Sequence, residues 1–590
     1  MDGAESPSGS AARRLATPGE FALTRARARL GFAVIVFGIV YLIIAGRVAD
    51  LTLFNEAPES SSVAAAGETV ATTHRADIVD RNGTILATSL PLFSLCADGR
   101  KILDPDDAER KLLSVLPDLD TERLDDLLRG SKHCAPIKRH VTPRQYYAVN
   151  KLGIAGLEFS PDEGRTYPAG AVTAHVLGYT DIDNNGIAGI EKSLNGKLQR
   201  NADPIALTLD LRLQTILHRE LSAAFETFHA LGAAGLIMDI ASGEILSLVS
   251  LPDFDPQRAG SADDDAKFNR ATLGVYEMGS TFKIFNTAMA LDSGLIKASE
   301  RFDTTHPLET SHKTIRDFHA STHHLNVAEI FIESSNIGSA LMADRLGAAR
   351  QKAFLGQLGL MEKSSIELPE VGAPLLPPAS GWGETTTMTV SFGHGIAVNA
   401  VQLAGAVATI LNDGAPVRPS LLKHDPEAQE RAPERLVTPR TAEIMRALMR
   451  LVVTQGTAKS AEVTGYMVAG KTGTANKQSG GHYVKDARLS SFIGVFPANA
   501  PRYLVFAMLD DPKGNAKTRG FATAGWTAAP VVSRVIGQIG PLLGLPPVEP
   551  DALAAAEHRL LRALGNDVLD SLQINTGTDD YASVESNSAQ

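Results

Sequence analysis

The apolar positions of this chain follow three patterns. The first is one unbroken run, residues 30–46, uncharged and bounded by Arg29 and Arg47. Its 17 residues are at the short end for a helix that spans a bilayer. Val48, Ala49, Leu51, Leu53 and Phe54 extend it, and Arg47 can snorkel to the interface. The second pattern is short apolar stretches separated by turn residues. In residues 78–86 an Asn82-Gly83 pair stands between two such stretches, a hairpin signal. Residues 233–240, a turn at Ala241-Ser242-Gly243 and residues 244–251 read as strand, turn, strand. Residues 491–497 and 503–509 repeat that form. The third pattern is helical spacing. It covers residues 104–129, with Leu112, Leu113, Leu116, Leu119, Leu124, Leu127 and Leu128, and residues 212–228. Asn326-x-x-Glu329 and Asn399-x-x-Gln402 have the form of capping boxes, the second opening a helix to about Leu411 before Asn412 and Gly414. Strands at both ends of a domain with helices between predict an α+β fold, an antiparallel sheet flanked by helices.

These patterns divide the chain. Residues 1–29 are a polar tail, 30–54 an anchor with its outer extension, 55–205 an extended amino-terminal domain, 206–545 the α+β domain, and 546–590 a short Ala/Leu helix and a polar, disordered tail. Residues 55–70 read as a linker. The 590 residues are too many for one ordinary domain.

Charge fixes orientation. Arg13, Arg14, Arg25, Arg27 and Arg29 oppose Asp2, Glu5 and Glu20 ahead of the apolar run. The positive-inside rule puts residues 1–29 in the cytoplasm and the remainder outside. No small-residue cleavage site follows the run, which favours an uncleaved anchor over a signal peptide. Gly31, Gly38 and Ala45 recur every seven residues and share a helix face, suited to a close-packed partner helix or simply bland composition. A net charge of −11 and a pI near 5.8 argue against a nucleic-acid partner. The two cysteines, Cys96 and Cys134, are not spaced for zinc; whether they pair is open.

Three polar motifs carry candidate chemistry, in order: Ser280-Thr281-Phe282-Lys283, Ser334-Ser335-Asn336 and Lys471-Thr472-Gly473-Thr474. Together they supply a serine nucleophile, an amine base, a second hydroxyl, an amide and a second cation. Ser280 and Lys283 are three apart and share one helix face. A serine hydroxyl needs a base to take its proton, and a lysine serves only when neutral. Burial and a nearby cation, for which Lys471 is the candidate, favour that state. Ser334 can pass a proton to a leaving amine, and Asn336 can hold Lys283 or a substrate carbonyl. Lys471, Thr472 and Thr474 suit a carboxylate, and Gly473 admits substrate backbone. The main-chain N–H groups of Ser280 and Thr474 can form an oxyanion hole.

The bland readings have to be weighed. Ser420 and Lys423 repeat the first spacing, and Ser193 and Asn195 the second, as chance allows; Lys-Thr-Gly occurs once. Ser420 has no glycine lead and sits beside a proline, so context selects Ser280. His312, His319, His323 and His324 suggest a metal, but no Cys or Glu stands at ligand spacing and there is no His-Glu-x-x-His, and a loop over the cleft is preferred.

The three motifs in this order resemble those of β-lactamases and penicillin-binding proteins. Over residues 25–540 the chain resembles a class B penicillin-binding protein. Residues 276–283 resemble the nucleophile segment, with Met278 where the family usually has proline. Residues 75–83 resemble the amino-terminal signature, with Ala76 for the usual glycine. Arg165, Tyr167, Pro168, Gly170, His175, Gly178, Gly189 and Glu191 resemble the second signature of the family's pedestal domain. Ser391-Phe392-Gly393-His394-Gly395 and Gln402 resemble the segment before the last motif, with Asn399-Ala400 for the usual Thr-Pro. Residues 471–477, 488–494 and 46–49 look more like the septal division branch than the cell-elongation branch.

The resemblance implies a penicillin-binding transpeptidase domain on a pedestal of the dimerisation type, anchored in the inner membrane with its catalytic domain in the periplasm. It implies that Ser280 attacks the D-Ala-D-Ala end of a peptidoglycan stem peptide, Lys283 takes its proton, and Ser334 protonates the departing D-Ala. Lys471, Thr472 and Thr474 then hold the terminal carboxylate, and a neighbouring amine resolves the acyl-enzyme. No cofactor would be needed, β-lactams would be inhibitors, and a membrane-embedded division glycosyltransferase of the FtsW kind would be a partner. The elongation enzyme, a β-lactamase or β-lactam sensor, and a non-catalytic scaffold are the alternatives.

Overall fold

The computed structural model describes residues 75–200, 203–311, 313–423, 434–479 and 482–574, and, as a separate unit, Ile35, Phe37–Leu42 and Ala45. Those eight residues of the apolar run are helical and exposed. Among the described residues, no helix is long and apolar enough to cross a membrane. The polar tail, the linker, Gly31, His312 and residues 575–590 lie outside the described residues.

The pedestal is built on one sheet. Strand β1 (Ile78–Val79) turns through Asn82-Gly83 into the long β2 (Ile85–Ala97). Gly83 takes φ +85°, a left-handed value glycine meets without steric cost. Asp80 ties the turn by accepting the N–H groups of Asn82 and Thr84, both at 2.8 Å. The Leu-spaced stretch forms two helices rather than one, α1 (Pro105–Val115) and α2 (Thr121–Arg129), parted around Pro117 and each N-capped by an aspartate, Asp104 and Asp120. Proline cannot continue a helix, and the Asp120 side chain restarts one. β3 (Ala135–Val141), β4 (Leu157–Thr166) and β5 (Ile205–Ala206) complete the sheet; β3 and β4 flank β2, and β5 joins β1 in parallel. The register of β2 and β3 brings Cys96 and Cys134 together as a disulfide, Cα atoms 4.8 Å apart.

The pedestal signatures meet in one place. Glu191, fully buried, accepts Arg75 Nε at 2.7 Å and Arg165 Nε at 2.7 Å. Arg75 also reaches Asn195 Oδ1 at 2.7 Å and the Glu191 carbonyl at 2.8 Å. Residues from two distant stretches thus form one buried ionic network.

The carboxy-terminal domain is an antiparallel five-stranded sheet between helical layers. Helix α3 (Leu211–Thr227) is followed by β6 (Gly232–Asp239) and β7 (Ile245–Leu251). Then come α4 (Lys283–Asp292), α5 (Val327–Glu333), α6 (Asn336–Leu346), α7 (Ala400–Leu411) and α8 (Pro439–Thr454). Strands β8 (Ala469–Ser479), β9 (His482–Phe496) and β10 (Tyr503–Asp510) and helices α9 (Ala528–Leu542), α10 (Pro550–Leu561) and α11 (Asn566–Ser571) finish it. Sheet order is β8-β9-β10-β6-β7, so the late strands close on the early hairpin, and β8 is an edge. All residues of β7 and β10 are buried, as strands covered on both faces require. Helices α3 and α9 form one layer, and α7 and α8 pack on the sheet in the other. Both expected capping boxes are present, at Asn326/Glu329 and Asn399/Gln402.

Candidate active site

Three elements bring the motifs together. Ser280 lies in a 3-10 turn, Gly279–Phe282, that runs directly into α4. At three residues per turn, positions three apart eclipse, so Ser280 and Lys283 face each other more closely than on an α-helix. Lys283 Nζ is 3.1 Å from Ser280 Oγ. Gly279 takes φ +55°, and a Cβ there would stand 2.8 Å from the Thr474 carbonyl. This close approach sets the nucleophile turn against the edge strand β8.

Ser334 caps the end of α5 in the left-handed conformation, φ 63°, and Asn336 opens α6. The turn between the helices aims both side chains at Lys283. Ser334 Oγ is 3.2 Å from Lys283 Nζ and 3.0 Å from Lys471 Nζ, so it bridges the two amines. The Ser334 carbonyl accepts from Lys283 at 2.5 Å and Asn336 Oδ1 at 2.8 Å. Those two partners only accept. A neutral amine has two N–H groups, which suit these acceptors, and one lone pair, which can take a proton from a hydroxyl in reach, Ser280 Oγ at 3.1 Å or Ser334 Oγ at 3.2 Å.

Electrostatics favours that neutral state. Lys283 is 1% exposed, and burial, followed by the charge of Lys471, pushes its pKa well below the ordinary lysine value. Lys471 is fully buried, and desolvation pushes it down to about 7. Its amine lies 5.8 Å from the centre of the Phe331 ring. Lys471 therefore meets the reacting centre through Ser334 rather than across open cleft.

The third motif has a further surprise. A side chain at Gly473 would meet Ser491 Oγ at 2.5 Å, the Met278 carbonyl at 2.6 Å and Thr281 Cγ2 at 2.9 Å. Its smallness is thus already required by the nucleophile turn itself. Thr472 Oγ1 pairs with Thr457 Oγ1 at 2.6 Å, and Thr474 Oγ1 accepts the Ala524 N–H at 3.4 Å. Ser280, Ser334, Asn336 and Thr474 are partly open, while Lys283, Lys471, Thr472 and Gly473 are buried.

Sequence reasoning missed Asp317. Its carboxylate accepts Ser335 Oγ at 2.6 Å and the N–H groups of Asn336 and Ile337, fixing the second motif from a loop. Its position before an exposed phenylalanine gave no signal. Also unassigned was a second polar group beside the nucleophile turn. Glu277 accepts the Gly395 N–H at 2.8 Å and the Tyr483 hydroxyl at 3.3 Å, and burial pushes its pKa up. The His394 ring, 5.8 Å from that of Tyr483, is pushed down to about 4 by burial and then by the charges of Lys313 and Lys283. Of the histidine loop, His319, His323 and His324 are exposed, and His324 lies 3.6 Å from Asp303.

Residues 233–535 match the family described as the penicillin-binding protein transpeptidase domain, and residues 70–202 the penicillin-binding protein dimerisation domain. The chain belongs to the class B penicillin-binding proteins and is a serine-type D,D-transpeptidase of peptidoglycan. Within that class it stands close to FtsI. It is 39% identical over 484 residues to the probable peptidoglycan D,D-transpeptidase FtsI of Caulobacter vibrioides, covering 80% of this chain and 82% of the relative. It is 33% identical over 516 residues to the probable D,D-transpeptidase PenA of Neisseria meningitidis, covering 82% and 87%. Among solved structures it is similar to penicillin-binding protein 3 of Mycobacterium tuberculosis in complex with aztreonam, with TM-score 0.64, 25% identity and coverage of 81% and 98%.

Proposed function

We propose that this enzyme cross-links stem peptides at the division septum through an acyl-enzyme on Ser280. The observation that carries the mechanism is the coordination of Lys283. Two acceptor oxygens, the Ser334 carbonyl and Asn336 Oδ1, hold its amine 3.1 Å from Ser280 Oγ and 3.2 Å from Ser334 Oγ. Ser280 attacks the penultimate D-Ala carbonyl of the donor stem while Lys283 takes the hydroxyl proton. The oxyanion forms against the main-chain N–H groups of Ser280 and Thr474. Ser334, between the two amines, relays a proton to the departing D-Ala nitrogen. Lys471 supplies charge from behind Ser334, and Thr472 and Thr474 line the place of the donor carboxylate. An acceptor amine then attacks the ester carbonyl, forms the cross-link and returns the proton to Ser280.

A β-lactam mimics the donor and stays on Ser280, a reading supported by the aztreonam complex of the mycobacterial relative. A fluorescent penicillin is expected to label the wild-type protein and not Ser280→Ala; labelling that persists in the variant rejects the assignment. Measurable turnover of the β-lactam would favour a lactamase instead.

The septal role rests on similarity to FtsI proteins. Depletion should give long filaments, and round or swollen cells would point to elongation. The uncharged run at 30–46 with its arginine-rich lead supports a single inner-membrane anchor, the tail cytoplasmic, a pedestal over 55–205 and a periplasmic transpeptidase domain over 206–545. Such an anchor suits a membrane-embedded partner of the FtsW kind. Co-purification from detergent that is lost when residues 1–54 are exchanged for an unrelated anchor would support that pairing.

A further inference from the structure

The carboxy-terminal helices α10 and α11 lie beyond both matched family regions, which end at residues 202 and 535. They are nonetheless built into the domain. Leu560, Leu561, Leu564, Val568 and Leu569 are buried in its main core. Two polar contacts lead from them towards the reacting centre.

The first contact runs to Ser334. Asn326 caps α5, its side chain accepting the Glu329 N–H at 2.8 Å. The rest of that amide is held by α11: Asn326 Nδ2 donates to Ser571 Oγ at 2.7 Å, and Ser571 Oγ donates to the Val568 carbonyl at 2.8 Å. Helix α5 is only seven residues long and ends on Ser334 in a left-handed conformation. In so short a helix, the setting of the cap is passed to the other end within two turns.

The second contact runs to Lys471. Arg450 of α8 is 3% exposed at its side chain. It bonds Glu462 at 2.6 and 2.9 Å, Glu557 of α10 at 2.9 Å and the Val468 carbonyl at 2.9 Å. Val468 immediately precedes strand β8, which carries Lys471 three residues on. The guanidinium therefore fixes the start of that strand, and a carboxylate from α10 fixes the guanidinium.

We propose that α10 and α11 form a clamp on the transpeptidase site, in which Ser571 and Glu557 are positioning residues that set Ser334 and Lys471 relative to each other, so that Ser334 bridges Lys471 and Lys283. The proposal rests on the acyl-transfer reading above. Ser334 Oγ must stay within hydrogen-bond reach of both amines, 3.2 and 3.0 Å, and the clamp holds the two elements that determine those distances. A shift of about 1 Å in such a relay can slow reaction by up to roughly 100-fold.

The test is stopped-flow acylation of the full chain by a fluorescent penicillin, well below the melting temperature, with sites counted by titration. Ser571→Ala and Glu557→Gln are each compared with wild type. The pre-covalent dissociation constant is expected to hold while the acylation rate per titratable site falls about tenfold, and Ser571→Thr, which keeps the hydroxyl, should recover most of the rate. Unchanged rate per site in both variants, or a loss explained only by fewer titratable sites, overturns the clamp. Failure of the wild-type protein to label would instead sink the acyl-enzyme reading, so the two failures are distinguishable.

Discussion

The pedestal and the cleft both bury cations, and they do so in opposite ways. In the pedestal, Arg75 and Arg165 converge on the fully buried carboxylate of Glu191, at 2.7 Å each. In the cleft, Lys283 and Lys471 are bonded to neutral oxygens, and among the described residues no carboxylate bonds either amine. Asp317 is near, but Ser335 and two main-chain N–H groups engage it. A charge that is buried and paired stays a charge, and breaking the pair is costly. A buried amine with only neutral partners sheds its proton readily, because desolvation disfavours the ammonium form. The pedestal uses burial to fix geometry; the cleft uses it to make a base.

The largest effect should come from removing that base. Lys283→Ala is expected to lower the acylation rate by about 100- to 10,000-fold, the usual range for a general base, without lowering the melting temperature. Lys283→Arg should not recover it, since a guanidinium does not deprotonate in proteins. Near-normal acylation in either variant would break the contrast at the cleft side. On the pedestal side, Glu191→Ala leaves two buried guanidinium groups without their carboxylate. A loss of about 3–5 kcal/mol in unfolding free energy is expected, the cost of breaking a buried pair. Denaturant unfolding measures it, and acylation per folded molecule should be unchanged. If stability held while acylation fell, Glu191 would belong to the mechanism and not to the frame.

A smaller effect sharpens the comparison through pH. Lys283 must be neutral to act, and its pKa lies well below the ordinary lysine value, so acylation should set in far on the acid side of 10.5. Lys471 must be charged, and with its pKa near 7 it loses that charge as pH rises. The second-order acylation constant should therefore pass through a maximum, with an alkaline limb near neutrality. Lys471→Arg keeps its charge and should remove the alkaline limb at the expense of a several-fold lower maximum. An alkaline limb that survives in that variant assigns it to another group.

How much of this was legible in the sequence depends on the distance over which each feature is made. Capping boxes, the Asn82-Gly83 turn and the strand-turn-strand units are local, and their residues announced them. The three motifs were legible because each carries its own chemistry. What failed was whatever needs two distant stretches. The partner of Asn326 is 245 residues away at Ser571. The Cys96–Cys134 pairing depends on the register of β2 with β3. That the nucleophile turn also needs a glycine at 473, with the Met278 carbonyl 2.6 Å from where a Cβ would stand, was equally out of local reach. Pro117 was visible, yet the leucine periodicity ran through it and masked the break between α1 and α2.

The smallest effect tests the contrast at a site that copies the motif without its surroundings. Ser420 and Lys423 have the spacing of Ser280 and Lys283, but Ser420 lies in an isolated bridge with Glu244, not on a helix. Its hydroxyl is 2.6 Å from a Glu367 carboxylate oxygen and 2.7 Å from the Leu422 carbonyl, while Lys423 is exposed. The Ser420 hydroxyl has acceptors already in place, and among the described residues nothing at this site reproduces the buried pair of amines beside Ser280. Ser420→Ala should leave penicillin labelling and acylation rate at wild-type values and cost about 1 kcal/mol of stability, the worth of one hydrogen bond. A labelling defect there would mean that spacing alone, and not the desolvated pair of amines, selects the nucleophile.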